Sequence, residues 1–590
     1  MRYSDLLADW LQDLGYTHCF FVAGGNIMHL LASISERFTC IPVVHEVTAG
    51  IASEYFNESS TKGRAFALVT AGPGLTNIVT AISGAWLESR ELLVIGGQVK
   101  TEDLRRSALR QRGIQEINGV DIVKPITVQS VLMDHILDKA EFSRIVRAGS
   151  TDRKGPVFIE IPLDIQGRDV TPETLVIPAT TSLNASLPEI TCEQIAQLIL
   201  DIRSATRPIL LIGGGVRREV THRLCDAFNR MGVPIMTTWN GADRISADHP
   251  LYFGRPNTWG QRYSNILLQQ SDLLIALGTR LGMQQTGFNW QEFIPVGRIV
   301  QVDCDKSELE KGHPKVDVPL HGDANTVIEQ LAAADLGDHH EWVGYCRMVK
   351  EELPLVDAIN KTREGYVSPY LFVQKLSELC GNDDIVVPCS SGSAFTVMMQ
   401  IFGQKRGQTI VTNKGLASMG YGLGGAIGAA LAHLDRRVVL VEGDGGFSQN
   451  LQELGTVSIN QLNLKIFIFD DNGYASIRMT QRNYFSGSYV GCDLKTGLGL
   501  PNWIKLFDAY DIPVICINSE FEMNDKFVEM FNQHGPAGFI VAVDPNQTYF
   551  PKITSRVTKD GGMESNPLHR MSPDIPDDLY RLVARYISDQ

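Results

Sequence analysis

Short apolar runs rich in β-branched residues recur along the chain, at residues 65–69, 92–96, 157–161, 209–212, 273–277, 299–302, 385–387, 438–441, 464–469 and 538–543. Stretches with apolar residues at helical spacing lie between them, for example 193–203 and 369–379. Strand followed by helix followed by strand predicts parallel sheets with helices on their faces. Two polar segments read as linkers. Residues 171–188 are rich in Thr, Pro, Ser and Ala, and residues 337–365 are polar and charged. They divide the chain near 1–175, 186–340 and 360–545, leaving a Pro-, Asp- and Gly-enriched tail, 546–590, with a last helix expected near 577–587. The expected fold class is α/β, with three doubly wound parallel-sheet domains.

Length agrees, because 590 residues exceed what one core holds. A net charge of -14 argues against nucleic-acid binding and against attraction to anionic membranes. No uncharged apolar run is long enough to span a bilayer, and the run 420–432 is short and rich in Gly and Ala. Asp5, Asp9 and Asp13 interrupt the first apolar stretch, so no secretory signal is read there and Asn57-Glu58-Ser59 is a chance sequon. The ten cysteines are scattered without a Cys-x-x-Cys pair, which fits neither a disulfide framework nor a zinc site. A cytoplasmic protein is expected.

The strongest chemical signal is Val438-Val439-Leu440-Val441-Glu442-Gly443-Asp444-Gly445-Gly446-Phe447. A strand ends in a Gly-Asp-Gly turn, a helical stretch follows at 451–460, and the next strand runs into Asp470-Asp471-Asn472-Gly473-Tyr474. Two neighbouring parallel strands thus carry acidic or amide side chains at their carboxyl ends, where open α/β sheets bind ligands. Glycines let backbone approach a diphosphate, and Asp444 offers the hard oxygen that Mg²⁺ prefers. Taken alone, the run also fits an acidic turn closing a Rossmann-like unit.

This arrangement resembles the thiamine-diphosphate enzyme family, whose signature is Gly-Asp-Gly followed at a nearly fixed distance by Asn-Asn. The resemblance implies Mg²⁺ held by Asp444, by Asp471 and by the Gly473 carbonyl, with Gly443, Gly445, Gly446 and Tyr474 around the cofactor. Asp470-Asp471 stands where Asn-Asn is usual, and a one-residue shift would put Asn472 at the metal instead. Val43-Val44-His45-Glu46 resembles the family segment whose Glu hydrogen-bonds the cofactor pyrimidine and drives its activation, a task for one carboxyl in an apolar setting. Thr70, Pro73 and Asn77 fit the loop-to-helix segment of the pyrimidine-binding domain. Ser391, Gly392 and Ser393 fit a diphosphate-gripping turn. Gly415 to Gly422 resembles the segment that bends the cofactor, with Met419 as apolar wedge and the Ala417 carbonyl accepting from the 4′-amino group. Gly420-x-Gly422-x-x-Gly425 also matches a dinucleotide fingerprint, but no acidic residue about 20 positions on ends a second strand, so it is read as a decoy.

The domain order and Gly113-Ile114-Gln115-Glu116 resemble the acetohydroxyacid-synthase branch of the family. That branch implies a central domain holding FAD in a structural role, through Gly214 and Gly215 after one strand, Arg280 in Gly278-Thr279-Arg280, and Asp303. A Rossmann-like domain with no cofactor is the plainer reading. The branch also implies a homodimer or homotetramer, with Gln115 and Asn26 orienting the acceptor. Three departures bear on the acceptor. Gln284 replaces an Arg that grips a keto-acid carboxylate, Val128 replaces a Lys, and Thr480 replaces a Trp. Gln cannot make the bidentate contact of a guanidinium. The expected reaction is therefore decarboxylation of a 2-keto acid, pyruvate first, and transfer of its acyl unit to a ketone or aldehyde. Thr237 to Gly241, Arg255 to Gly260 and Ser476-Ile477-Arg478 look similar to enzymes whose acceptor is a nucleotide-linked ketosugar. Acetolactate synthase proper, a simple decarboxylase and a non-catalytic binder are the rival readings.

Overall fold

Each predicted apolar run forms a strand, and the strands assemble into three parallel sheets. The computed structural model describes residues 1–105, 108–171, 187–518, 524–557 and 559–587. Most of the linker read at 171–188 lies outside the described residues.

The N-terminal sheet contains β1 (Tyr16–Phe21), β2 (Thr39–Pro42), β3 (Arg64–Val69), β4 (Leu92–Gln98), β5 (Gln129–Leu132) and β6 (Pro156–Pro162), in the order β2-β1-β3-β4-β6-β5. The central sheet contains β7 (Pro208–Ile212), β8 (Ile235–Thr237), β9 (Leu273–Leu277), β10 (Arg298–Asp303) and β11 (Val318–His321), ordered β11-β10-β9-β7-β8. The third sheet contains β12 (Ile385–Pro388), β13 (Thr409–Ile410), β14 (Val438–Gly443), β15 (Leu464–Asp470), β16 (Val514–Ile517) and β17 (Ala537–Ala542). Its order, β13-β12-β14-β15-β17-β16, repeats the N-terminal pattern strand for strand. In both sheets the winding reverses beside the first strand, between β1 and β3 and between β12 and β14. Ligands bind open α/β sheets at such reversals.

The first and third domains share one apolar core. The helix Glu46–Ser59 lies against the helix Tyr421–Ala432, and Ile51, Tyr55, Tyr421, Leu423 and Ile427 are all buried there. Small residues make the crossing close. A Cβ on Gly428 would sit 2.1 Å from the Ala52 carbonyl oxygen, and one on Gly425 would sit 2.5 Å from the Tyr55 ring. Of the Gly420-Gly422-Gly425 run, Gly425 packs on this partner helix, while Gly422 packs on Glu442 and Leu440 of β14.

Two expectations about the chain's organisation change. Residues 337–365 are not a plain linker, because the helix His340–Glu352 forms within them and buries Trp342, Tyr345, Cys346 and Val349 in the central core. Its charged outer face hid that apolar stripe in the composition. The tail also returns to the central domain, where Ile553, Leu568, Met571, Tyr580 and Val583 join the core. Its last helix is Asp577–Val583. Among the described residues no helix is long and apolar enough to cross a membrane.

Candidate active site

At the reversal in the third sheet, β14 delivers Asp444 and β15 delivers Asp471. Asp444 is buried, its Oδ1 accepting from the Gly445 amide at 2.7 Å and its Oδ2 from the Gly473 amide at 2.8 Å. Asp471 is buried too, while Asn472 points outward. The buried Arg478 guanidinium donates to the Asp471 carboxylate and, at 2.8 Å, to its carbonyl. Burial pushes the Asp444 carboxyl well above the usual carboxylate range, and Asp471 and Asp470 push it further. Burial also raises Asp471, against the pull of Arg478. Carboxylates crowded out of water in this way attract a cation. No set of three or more His, Cys, Asp or Glu side chains arranged for a metal occurs among the described residues. A magnesium site needs fewer protein ligands, because the ion keeps water and phosphate oxygens. The glycines are steric requirements: a Cβ on Gly445 would lie 2.3 Å from the Tyr474 ring, and Gly473 adopts φ +142°.

Across the reversal, β12 leads into the helix Gly392–Ile401. Ser391 at its N-cap accepts no capping bond, so the first-turn amides stay open to an anion. Ser393 Oγ lies 3.5 Å from Ser476 Oγ. The segment before the Tyr421 helix is held away from regular structure. Ala417 takes φ +57° and Gly420 φ +78°, Ser390 donates to the Ser418 carbonyl, and the Met419 side chain stays 37% exposed. The Ala417 carbonyl makes no hydrogen bond among the described residues. A left-handed non-glycine residue marks a backbone held for a purpose.

In the first domain Glu46 opens its helix and is 7% exposed, and Asn77 Nδ2 donates to its Oε2 at 2.9 Å. Pro73 begins the helix that carries Asn77. Thr70 follows β3 with its Oγ1 buried and unpartnered among the described residues, and Gly24 leaves no room for a Cβ beside it (2.4 Å). The Asn26 carbonyl accepts from Gln166 at 2.8 Å, and its side chain has no partner among the described residues. Gln115 is exposed at φ +61°, its carbonyl pressed on Gly72. The first-domain residues therefore collect at one sheet edge and the third-domain residues at another. Among the described residues, Glu46 makes no hydrogen bond to the third domain.

The central-domain residues meet at the carboxyl edge of the middle sheet. The amides of Gly213, Gly215 and Val216 are spent within the turn or on β9 and its loop, and Arg244 and Asn325 take the Gly214 and Gly215 carbonyls. Only the Gly214 amide is left. Arg280 is half-buried with no side-chain partner among the described residues, and Asn240 Oδ1 is buried without one. Asp303 is buried at the end of β10 and uses Oδ1 to accept from the Asp305 amide. A free cation, an orphaned amide oxygen and a strand-end carboxylate fit a dinucleotide, although the glycine turn would grip its diphosphate weakly.

Several residues at these edges escaped sequence reasoning. Glu88 accepts from the amides of Lys414 and Gly415 and from Asn240, so one carboxylate ties all three domains at the start of the Met419 segment. Glu453 accepts from the Val44 and His45 amides, fixing the entry to Glu46. Arg478 was noticed only within a run of similarity, not as the partner of Asp471. No local pattern announces the Glu88 and Glu453 contacts, since their partners lie 152 to 409 residues away, whereas Arg478 is only 7 residues from Asp471.

Comparison with known proteins agrees with this geometry. The family models described as thiamine pyrophosphate enzyme, N-terminal TPP binding domain, central domain, and C-terminal TPP binding domain match residues 1–122, 194–331 and 390–541. The chain is 29% identical over 554 residues to acetolactate synthase isozyme 1 large subunit of Escherichia coli, covering 93% of this chain and 95% of the relative. It is 29% identical over 561 residues to a probable acetolactate synthase large subunit of Methanocaldococcus jannaschii, covering 92% of each. It is 27% identical over 575 residues to acetolactate synthase 2, chloroplastic, of Zea mays, covering 94% of this chain and 87% of the relative.

Proposed function

Because this chain belongs to the thiamine pyrophosphate enzyme family, in its acetolactate-synthase-like branch, we propose that it decarboxylates a 2-keto acid, pyruvate first, and transfers the acyl unit to a carbonyl acceptor other than a free 2-keto acid. The observation that carries the reading is the buried Glu46 carboxylate held by Asn77 in a chain that also carries the Asp444–Asp471 turn.

Bound thiamine diphosphate supplies a nucleophilic carbon and an electron sink, which no side chain can. Glu46 holds the proton at the pyrimidine nitrogen, and Asn77 orients Glu46. The Ala417 carbonyl would accept from the cofactor's amino group, and Met419 would serve as the apolar wedge under its rings. Asp444, Asp471 and the Gly473 carbonyl hold Mg²⁺, with Asn472 discounted because it faces outward. The open amides after Ser391 receive the diphosphate. Gln115 and Asn26 orient the acceptor. In the central domain Arg280, Gly214 and Asp303 hold FAD in a structural role, and flavin released from the purified protein by heat would test this. A homodimer, or a tetramer of two, is the working unit. Exposed Met28, Val44 and Ile114 at one half-site and Ile477 and Phe485 at the other are the apolar faces a second copy would cover.

The test follows carbon dioxide release from pyruvate with thiamine diphosphate and Mg²⁺, with and without a panel of ketones and aldehydes. The expected result is release that rises with an acceptor other than a free 2-keto acid. Accumulation of acetolactate from pyruvate alone would refute the acceptor reading. Gln284 is exposed, and its carbonyl accepts from the Thr258 amide at 2.9 Å. Gln284→Arg restores a guanidinium there, so acetolactate formation should rise at least about tenfold, in the range of a charged hydrogen bond. Product analysis by chromatography reads the change.

A further inference from the structure

Lys552 lies in the tail, beyond the matched family domains, and is only 7% exposed. Burying an ammonium requires a partner, yet Lys552 has no carboxylate among the described residues. Its single hydrogen-bond acceptor is the Met479 thioether, a weak one, at 3.1 Å. The rings of Trp259 and Phe550 stand 5.1 and 5.4 Å from its nitrogen. Arg482, three residues on from Met479 in the helix Ala475–Tyr484, carries a charge of the same sign. Burial first, and then Arg482, bring the Lys552 ammonium down to about 8. Arg482 is half-buried and makes no hydrogen bond or ion pair among the described residues. Two cations held close without an anion form a site awaiting one.

The surroundings place that site beside the acceptor. Met479 and Arg482 flank Thr480 on the helix Ala475–Tyr484, which begins next to the metal turn. The Ile553 amide donates to the Thr258 carbonyl at 2.8 Å, and the Thr258 amide donates to the Gln284 carbonyl at 2.9 Å. One backbone bridge therefore links Lys552 to the loop where the carboxylate-gripping Arg is absent. The tail strand is itself anchored, with Lys552 and Ser572 exchanging backbone bonds at 3.1 and 2.8 Å.

We propose that Lys552 and Arg482 form a phosphate subsite, so that the acceptor is a phosphorylated carbonyl compound held by its phosphate rather than by a carboxylate. Two charge-assisted donors suit a phosphate's several oxygens, with Lys as a point charge and Arg able to fork. Aromatic walls at Trp259 and Phe550 exclude water and strengthen the contact. The proposal rests on the carboligase reading, yet it can fail separately.

The test uses the holoenzyme, saturated with thiamine diphosphate and Mg²⁺ so that the cofactor's own diphosphate site is filled. Calorimetry measures binding of inorganic phosphate, pyrophosphate and the diphosphates of uridine, cytidine, guanosine and thymidine. Wild type should bind a phosphate probe, Lys552→Met should weaken it at least tenfold, and Lys552→Arg should recover most of the loss. Arg482→Gln, at a partly exposed position, gives a second variant should Lys552→Met fail to fold. Tighter binding of one nucleoside diphosphate supports a nucleotide-linked acceptor, and equal binding of pyrophosphate supports a simple phosphate ester. If no phosphate probe binds, or if both variants bind as wild type does, the subsite is refuted. Whether pyruvate-dependent carbon dioxide release rises when a carbonyl acceptor is added, phosphorylated or not, tests the carboligase reading independently.

Discussion

Replacing Glu46 by Gln is expected to reduce pyruvate-dependent carbon dioxide release by about 10²–10⁴-fold, the range for removing one positioned acid–base group. Gln preserves the volume and can still accept from Asn77, so the helix start and its packing survive. What disappears is the carboxylate proposed to share a proton with the cofactor pyrimidine. The amides of Val44 and His45 stay anchored on Glu453, so the segment keeps its path. Cofactor affinity, followed by intrinsic fluorescence, should therefore change far less than turnover. A variant within tenfold of wild type would remove Glu46 from the reaction. Asn77→Ala is the companion: it frees the Glu46 carboxylate from its 2.9 Å donor and should have a smaller effect.

The second large effect concerns stability. Six charges meet where the three domains touch. Arg90 pairs with Glu54 at 2.9 Å, Arg218 with Glu58 at 2.8 Å and with Asp243 at 2.6 Å, and Arg244 pairs with Asp243. The Asp243 carboxylate also accepts from the Ile410 amide at 2.8 Å, and Arg218 donates to the Ile410 carbonyl at 3.1 Å. Glu54 and Asp243 are almost wholly shielded from water. Arg218→Met removes the cation between Glu58 and Asp243 and leaves both acids short of charge. Breaking a buried pair from one side costs about 3–5 kcal/mol. Urea unfolding should show that loss, and because the junction touches all three domains the whole transition should move. A shift under about 1 kcal/mol would mean the junction relaxes freely. Acid should act on the same place. Burial opposes ionisation of Glu58, but Arg218 and Arg90 overcome it and hold its carboxyl near 2, down from 4.5. A depressed carboxyl stabilises the fold above its unfolded value and ceases to do so as pH falls through the folded one. The contribution of Glu58 should thus fade between about pH 5 and pH 2, and Arg218→Met should flatten that limb.

The sheets were readable where strands are buried on both faces. Leu273–Leu277 is a continuous apolar run, and Leu464–Asp470 is apolar apart from Lys465 and the terminal Asp470, because both strands lie inside their sheets. The strands that escaped notice are chiefly edges: Thr39–Pro42, Gln129–Leu132, Ile235–Thr237, Val318–His321, Thr409–Ile410 and Val514–Ile517. An edge strand is short and often wetted on one side, so it carries little apolar signal. Tyr16–Phe21 is an interior strand, but Thr17 and His18 interrupt its pattern. The proposed cofactor residues were legible for a different reason. Asp444 and its glycines are fixed by chemistry and by steric closeness, and both leave local marks. Lys552 left none, since a single lysine in a polar tail reads as surface until Trp259 and Phe550 are seen around it.

The crossing of the Glu46 and Tyr421 helices has a consequence for building new proteins from this one. Ala52 and Gly428 meet backbone to side-chain position with no spare width, although they belong to different sheets and lie far apart in sequence. A chimera that exchanged the third domain for a relative's could keep every proposed catalytic residue and still be forced open if its residue at position 428 carried a side chain, because that side chain would meet the backbone of Ala52. Domain grafting among such enzymes should treat positions 52 and 428 as one inherited unit, carried across together or not at all.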